Sequence, residues 1–329
     1  MIDRRTLVAF AGGTLVLKPF AALGQSVAKT YRIGYLDPRS STITADDPSY
    51  TSLRRTLGDL GYATGRNMIF EERFADRQID RLPALASELV QRRVDVIIAA
   101  SAPSIRASRD ATKSIPIVMA FSGDDPVKSG FVKSLAHPGG NVTGVTILFG
   151  ELAPKWVELM RDLVPGMTRL AVMSNASRPA HAEYFATMLA QRPPGLRLQH
   201  VEVRAPDQYE AAFSAMSAER AEGLVILADI LFTQDAARLA QLAIRHRLPS
   251  INQFREFALK GGLMAYGPEE GELAVLAAHF VDKLLKGGKP DELPVQQPTK
   301  FRLTLNVGTA KLLNLVVPPL FQLRVDDPV

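Results

Sequence analysis

The chain has 329 residues, of which 47% are hydrophobic and 22% charged, so it is long enough for two globular domains of ordinary size. It contains no cysteine, which excludes thiolate catalysis, disulfide bonds and cysteine-bound zinc. The net charge of +5 is mild and the basic residues are scattered among acidic ones, so we expect a solvated surface and no binding of nucleic acid.

Residues 1–28 have the pattern of an export signal. A basic start that ends at Arg4 and Arg5 precedes an apolar run at 6–17 and a stretch of small residues at 21–28. The apolar run is too short to anchor the chain in a bilayer. We therefore predict a signal peptide at 1–28, export by the Sec or the twin-arginine route, and a periplasmic location.

From residue 31 onward, short apolar runs alternate with segments of helical spacing. The predicted strands of the first half lie at 31–36, 67–74, 94–100, 115–121 and 142–148. The predicted helices lie at 50–60, 79–91, 101–113 and 125–137. This order predicts a doubly wound parallel sheet, and the backbone N–H groups at 125–127 would face its crevice as an anion site.

The same rhythm restarts after Leu148. Predicted strands lie at 169–173, 196–203, 223–227, 249–252, 262–266 and 300–306, and predicted helices at 152–163, 181–191, 209–220, 234–246, 269–285 and 309–315. We predict an α/β fold of two doubly wound, Rossmann-like lobes joined by a multi-strand hinge, with a ligand cleft between them. Lobe 1 would comprise 29–146 and 268–298, and lobe 2 would comprise 147–267 and 299–329. No GxGxxG or GxxxxGK[ST] motif follows a strand, which argues against a dinucleotide or P-loop site.

Five segments carry a family resemblance. They are GYATGRN (61–67), DVIIAASAPS (95–104), DPVKSGFVKSLAHPGGNVTGV (125–145), REFALKGGLMAYGP (255–268) and DKLLKGGKPDELPVQQPTKFRLTLN (282–306). Together they resemble the ABC-importer solute-binding family that includes tryptophan- and tyrosine-type binding proteins, and the resemblance covers essentially the whole mature chain. One departure is the loop from Asn175 to Pro179 (NASRP), where the family usually has Asn-Pro-x-x-Pro.

This resemblance implies a type I periplasmic-binding-protein architecture and a receptor without enzymatic activity or cofactor. The receptor would capture a small solute, an amino acid or an aromatic carboxylate, by hinge closure and deliver it to the transmembrane subunits of an ABC permease. We predict no catalytic residue and no metal site, because the five histidines lack metal-ligand spacing and no GxSxG motif occurs. We expect a monomer, since a hinge needs freedom, and a transient contact with the membrane protein.

The predicted ligand-binding residues lie at or near strand ends, where α/β lobes bind ligands. Polar groups at 101–104 would bind a carboxylate, and residues 122–124 would contact the ligand from the analogous turn. Asp229 would accept hydrogen bonds from an ammonium group, and aromatic rings would line a slot for a planar ligand. The predicted set is Tyr35, Ser40, Ser41, Ser101, Ala102, Ser104, Phe121, Ser122, Gly123, Asp124, Asn175, Asp229, Phe254 and Tyr266. Structural roles stay open for several of them: Ser101 and Asp229 also fit helix caps, and most aromatic residues belong to cores.

Other functions remain open at this point. A sensor that passes its ligand-bound state to a signalling partner would have the same sequence pattern as a transport receptor. An enzyme on the same scaffold is a further alternative, because fold does not fix function, although no catalytic signature is seen. A ligand-binding domain of a transcription regulator would need a helix-turn-helix before the first strand, where this chain has the predicted export signal.

Overall fold

The computed structural model describes residues 29–43 and 47–329, so the predicted signal peptide at 1–28 lies outside the described residues. The strands are β1 (Tyr31–Asp37), β2 (Met68–Phe74), β3 (Val96–Ala99), β4 (Ile117–Ser122), β5 (Val142–Thr146), β6 (Arg169–Asn175), β7 (Arg197–Val203), β8 (Leu224–Ile226), β9 (Ser250–Asn252), β10 (Met264–Pro268), β11 (Phe301–Leu305) and β12 (Asp327–Pro328).

The helices are α1 (Pro48–Asp59), α2 (Leu82–Gln91), α3 (Ala102–Ala111), α4 (Phe149–Leu163), α5 (Pro179–Gln191), α6 (Tyr209–Ala218), α7 (Ile230–Gln234), α8 (Ala236–Arg245), α9 (Arg255–Leu259), α10 (Glu270–Leu285), α11 (Val307–Leu312) and α12 (Pro319–Gln322). Short 3-10 helices lie at Ser41–Ile43, Ile79–Arg81 and Pro206–Gln208. Within the described ranges, no helix is both long and apolar enough to span a membrane.

The strands form two separate sheets, which we use to define lobe 1 and lobe 2. The lobe 1 sheet has the order β2-β1-β3-β4-β5, and each of its pairs is parallel. The lobe 2 sheet has the order β12-β11-β10-β9-β8-β6-β7, in which β10 and β11 are antiparallel and the other pairs parallel.

Helices cover both faces of each sheet. In lobe 1, apolar side chains of α2 and α3 pack on one face, while α1 and α10 pack on the other. In lobe 2, α6 and α8 pack on one face, and α4 and α5 on the other. Such burial on both faces explains the nearly continuous apolar runs of the central strands. The predicted pair of doubly wound sheets is therefore confirmed.

The chain passes between the lobes at three places: from β5 to α4, from β10 to α10, and from the segment before β11 into β11. Gln296 forms a parallel bridge with Val145, which joins two of these crossings. Three crossing segments form the multi-strand hinge that the sequence predicts. The lobe boundaries at 146/147, 267/268 and 298/299 stay predictions.

A glycine shapes the lobe 1 edge of this hinge. Gly144 has φ of +125°, and a Cβ atom there would lie 2.4 Å from the carbonyl oxygen of Met119 on β4. The β4–β5 pairing shifts register between Met119 and Ser122. Only glycine lets the backbone of β5 approach β4 this closely at residue 144. The close approach and the register shift together place the end of β4 relative to β5.

The predicted helix at 125–137 is wrong, because turns and bends follow β4 instead. The carboxylate of Asp125 accepts hydrogen bonds from the backbone N–H groups of Val127 (2.9 Å) and Lys128 (3.2 Å), and Gly130 takes φ of +67°, which ends the turn. Since Asp125 occupies the N–H group of Val127, the predicted anion site at 125–127 is also wrong. The sequence interpretation missed α7, α9, α12 and β12, each of which is at most five residues long.

Candidate ligand-binding cleft

The end of β4 in lobe 1 meets the ends of β6 and β8 in lobe 2, and Arg178 connects them. Its guanidinium donates from Nη2 to Oδ1 of Asp124 in lobe 1 at 2.5 Å. From Nη1 it donates to the carbonyl of Ala228 at 3.0 Å and to Oδ2 of Asp229 at 3.5 Å, both in lobe 2. The Arg178 side chain is only 21% exposed, so these charges interact largely out of water.

Tyr184 on α5 makes a second connection across the lobes. Its hydroxyl oxygen lies 2.9 Å from both the carbonyl oxygen of Gly123 and Oδ1 of Asp124, and its one proton is shared between these two acceptors. Burial raises the pKa of Tyr184, and the nearby charge of Asp124 raises it further. The hydroxyl is therefore a neutral donor at physiological pH. The same Gly123 carbonyl accepts the backbone N–H of Phe149 at the start of α4.

Asp229 both caps a helix and belongs to this cluster. One carboxylate oxygen, Oδ1, accepts the backbone N–H of Leu231 (2.9 Å) as the N-cap of α7, and the same oxygen accepts Nδ2 of Asn175 (3.0 Å). The other oxygen faces Arg178. The capping role that the sequence left open is thus present, and Arg178 already provides a positive charge beside the carboxylate.

His181 lies beneath the cluster as a neutral side chain. Its Nδ1 accepts the backbone N–H of Asn175 at 3.0 Å, so the ring proton lies on Nε2, which donates to the Ala228 carbonyl at 3.2 Å. Burial lowers the pKa of His181 to about 4, and the positive charge of Arg178 acts in the same direction. The imidazole therefore orders the loop after β6 without adding charge at neutral pH.

Several buried polar atoms near the strand ends have no hydrogen-bond partner among the described residues. They are Oγ of Ser122, Nε of Arg178, and both amide atoms of Gln253, which directly follows β9. Ser122 and Gln253 are each 1% exposed. Buried polar groups are normally satisfied, so unpaired ones beside a cleft indicate capacity for a ligand or for water.

Two exposed ion pairs also join the lobes. Arg77 Nη2 lies 3.5 Å from Oδ1 of Asp235, and Lys128 Nζ lies 3.5 Å from Oε2 of Glu183. Together with Arg178 and Tyr184 they hold the two lobes in contact. The two lobes are thus in direct contact at their facing strand ends and at two surface positions.

The structure brings four of the predicted site residues together: Gly123, Asp124, Asn175 and Asp229. Ser122 adjoins this group, with its hydroxyl buried and unpaired among the described residues. Their ligand role itself stays a prediction.

Other predicted polar residues lie at neighbouring strand ends. Ser101 is the N-cap of α3, and its Oγ lies 3.0 Å from Oγ of Ser104, while Ala102 is buried as the first residue of that helix. Ser40 follows β1, where its Oγ accepts the backbone N–H of Thr42 at 3.4 Å, and Ser41 is exposed at the start of a 3-10 helix. The N-cap alternative for Ser101 is therefore present in the structure.

The predicted aromatic residues are dispersed. Tyr35 is fully buried in the lobe 1 core, and its hydroxyl donates to Asp37 at 2.8 Å. Tyr266 stacks on a neighbouring strand's ring with centroids 6.1 Å apart, and Phe121 is partly buried against the core. Phe254 packs edge-on against Phe149 and lines a narrow cavity. The cavity residues are Ile226, Phe232, Thr233, Ala236, Leu239, Asn252, Phe254, Glu256 and Phe257.

Sequence reasoning missed Arg178, Tyr184 and His181. Arg178 lies in the NASRP loop that departs from the family pattern, which was the available signal. The sequence shows for His181 only that metal-ligand spacing is absent, and Tyr184 lies in the middle of a helix, where no strand-end argument applies. Among the described residues, no group of three or more histidine, aspartate or glutamate side chains could hold a metal ion.

Two lobes, a hinge of three crossings and a polar cluster at facing strand ends define the class of two-lobed ligand-binding proteins. The family model for ABC transporter substrate binding proteins matches residues 44–321, which is most of the chain. The chain therefore belongs to this family, and the family predicted from the five motifs is confirmed. The family consists of substrate-binding proteins rather than enzymes.

Similar proteins include one of comparable sequence and two of known structure. A tyrosine-binding protein from Clostridioides difficile is 27% identical over 263 residues, which are 79% of this chain and 75% of the relative. A conserved domain protein from Vibrio cholerae has a TM-score of 0.84 and 23% identity, covering 92% of this chain and 100% of that one. An ABC domain from Streptococcus pneumoniae in complex with L-Trp has a TM-score of 0.83 and 20% identity, with the same coverages. The predicted type I periplasmic-binding-protein architecture is thereby confirmed.

Proposed function

We propose that this chain captures a small ligand, an amino acid or an aromatic carboxylate, between its lobes by hinge closure. After export to the periplasm it delivers the ligand to the transmembrane subunits of an ABC permease. The names of two similar proteins support the ligand class, since one is a tyrosine-binding protein and the other was solved with L-Trp.

The observation that carries this proposal is the set of bonds from lobe 2 to the end of β4. Arg178 and Tyr184 reach Asp124 across the cleft, so the facing strand ends come together only when the lobes close. A ligand held between the same strand ends would contact both lobes in the closed form and only one in the open form. Such a difference in contacts is what allows a ligand to shift the equilibrium toward closure.

The test is a titration of the chain from residue 29 onward, unfolded and refolded to remove any ligand carried through purification. The panel contains L-tyrosine, L-tryptophan, L-phenylalanine, L-isoleucine, 3-(4-hydroxyphenyl)propionate and D-glucose. A ligand present at about a thousand times its dissociation constant should stabilise the folded protein by about 4 kcal/mol, seen as a higher thermal midpoint. We expect this for at least one aromatic amino acid or aromatic acid.

The control variants separate the cleft from the rest of lobe 2. Asp229→Asn should weaken binding, because it removes a charge at the facing strand ends, whereas Asp207→Asn changes an exposed residue of the same lobe and should not. A panel in which no amino acid or aromatic acid raises the midpoint would contradict the proposed ligand class. A response to glucose alone would contradict it as well.

A further inference from the structure

The positively charged guanidinium of Arg178 lies between two carboxylates of the cleft. Asp124 comes from lobe 1 and Asp229 from lobe 2, and the guanidinium contacts both. Neutral donors complete the coordination of each carboxylate: the Tyr184 hydroxyl bonds to Asp124, and the Asn175 amide bonds to Asp229. The number of formal charges in this cluster is therefore fixed by three side chains.

The charge balance of the cluster is negative. Two carboxylates and one guanidinium give a net charge of −1, and His181 is neutral at pH 7 because burial lowers its pKa to about 4. A net negative charge that is largely removed from water attracts one further positive charge and repels an additional negative one. A ligand whose only charge is one ammonium group would bring the balance to zero, whereas a zwitterionic amino acid would leave it at −1 and place its ammonium group against the excess negative charge.

Unpaired atoms in the cluster indicate where a ligand would bond. Oγ of Ser122 is buried next to the Gly123–Asp124 segment, and it can accept a hydrogen bond from an ammonium group. Nε of Arg178 is a buried donor that lacks an acceptor among the described residues. A head group with an ammonium and a carboxylate carries the donor that Ser122 can accept and the acceptor that Nε of Arg178 lacks.

We infer that Arg178 determines the charge of the ligand head group that this cleft accepts, by cancelling one of the two facing carboxylates. With Arg178 present, the cleft takes a head group that carries one ammonium group, so of the two ligand classes in the proposed function it favours the amino acid over the aromatic carboxylate. Without Arg178, the same two carboxylates would favour ligands with more positive charge. This inference rests on the proposed function, because it concerns the ligand of the same cleft.

The test compares three ligands that share a 4-hydroxyphenyl ring: L-tyrosine, tyramine and 3-(4-hydroxyphenyl)propionate. Calorimetry gives the ratio of the affinities for tyramine and for the propionate. Arg178→Met should raise this ratio roughly tenfold or more, since a unit charge within a few ångströms of the head group is removed. Arg178→Lys keeps the charge and should keep the ratio, and Arg204→Met, at an exposed arginine of lobe 2, should not change it.

A purely structural role of Arg178 would give a different result. In that case Arg178→Met would lower all three affinities by the same factor and leave the ratio unchanged, which would overturn the inference. If Arg178→Met does not fold, Asp124→Asn tests the same inference, because it changes the charge of the cluster, and therefore the affinity ratio, in the opposite direction. It brings the cluster to zero charge and should lower the ratio roughly tenfold or more. An unchanged ratio in Asp124→Asn would overturn the inference too.

A measurement without ligand separates this inference from the proposed function. The pKa of His181, followed by NMR and assigned with His181→Gln, reports the electrostatic potential of the cleft. Since Arg178 contributes to lowering this pKa, Arg178→Met should raise it and Arg178→Lys should not. If the pKa moves while none of the three ligands binds, the proposed ligand class fails and the charge role stands. If the pKa does not move, the charge role fails, whatever binds.

Discussion

The two lobes contain similar arginine clusters that differ in what they connect. In each lobe an arginine follows the first strand: Arg39 comes after β1, and Arg178 comes after β6. Arg39 binds Asp37 through Nη2 at 2.7 Å and also binds Asp47. All three residues of the Arg39 cluster belong to lobe 1, whereas Arg178 binds one aspartate from each lobe.

In each cluster a tyrosine hydroxyl bonds to an aspartate, and the two bonds also differ in whether they lie within one lobe or join two lobes. Tyr35 donates to Asp37 within lobe 1, and Tyr184 of lobe 2 donates to Asp124 of lobe 1. The Arg39 cluster is therefore complete as soon as lobe 1 folds, and its bonds should contribute to the stability of that lobe. The Arg178 cluster is complete only when the lobes meet, and its bonds should contribute to closure.

The largest expected effect comes from breaking the Arg39 cluster. Asp37 is fully buried, so Arg39→Met would leave it as an uncompensated charge in the core of lobe 1. Removing one partner of a buried ion pair typically lowers the free energy of unfolding by about 3 to 5 kcal/mol. Urea unfolding followed by circular dichroism measures this loss. Arg55→Met replaces an exposed arginine of α1 as the control, and a similar loss in both variants would contradict the assignment.

The second effect is a pH dependence of the free energy of unfolding, which distinguishes the two clusters. The Arg178 cluster has a neighbouring histidine, His181, whereas no histidine of the described residues bonds to the Arg39 cluster. The folded protein holds His181 with a pKa of about 4, below its ordinary value of 6.5, because burial disfavours the charged ring. The unfolded chain therefore binds more protons between these two values. The contribution of His181 to the free energy of unfolding is therefore fully present above about pH 6.5. It is lost as the pH falls to about 4, by a total of about 3 kcal/mol.

Unfolding free energies measured from neutral pH down to about pH 4 test this expectation. His181→Gln should reduce the pH dependence, because the difference in bound protons between the unfolded and folded chains falls by about one. Groups that act on the titration of His181 include Arg178, Asp229 and Asp124, so wild type and this variant should be compared at constant ionic strength. An identical pH dependence in wild type and His181→Gln would show that another group is responsible.

The fold could be predicted from the sequence because its signals are local and periodic. Buried strands such as β3 are continuous apolar runs, and the helices between them have apolar residues at helical spacing. The failed helix at 125–137 shows the limit of this reasoning. That prediction rests on a start signal at Asp125-Pro126 and a stop signal at His137-Pro138-Gly139-Gly140, but the side chain of Asp125 and the positive φ of Gly130 favour a turn between them.

The candidate site could be predicted only in part, because strand ends are visible in a sequence and contacts between lobes are not. The sequence predicts Asp124 and Asp229 because each follows a buried strand. Arg178 was missed because its partners are 54 and 51 residues away, in segments that meet only after both sheets have formed. Tyr35 fits the strand-end rule equally well, yet its ring faces the lobe 1 core, which depends on packing against α1 and β2.

The smallest expected effect gives the sharpest comparison, because it removes one hydroxyl group from each cluster. Tyr35→Phe should lower the free energy of unfolding by about 1 to 2 kcal/mol, since buried Asp37 loses a donor, and it should leave lobe closure unchanged. Tyr184→Phe should instead shift the lobes toward the open form by roughly tenfold, because the lost bonds cross the cleft. The chain has no cysteine, so one introduced on each lobe can carry dyes for energy transfer between the lobes. If Tyr35→Phe opens the lobes as much as Tyr184→Phe does, the division between a folding cluster and a closing cluster is wrong.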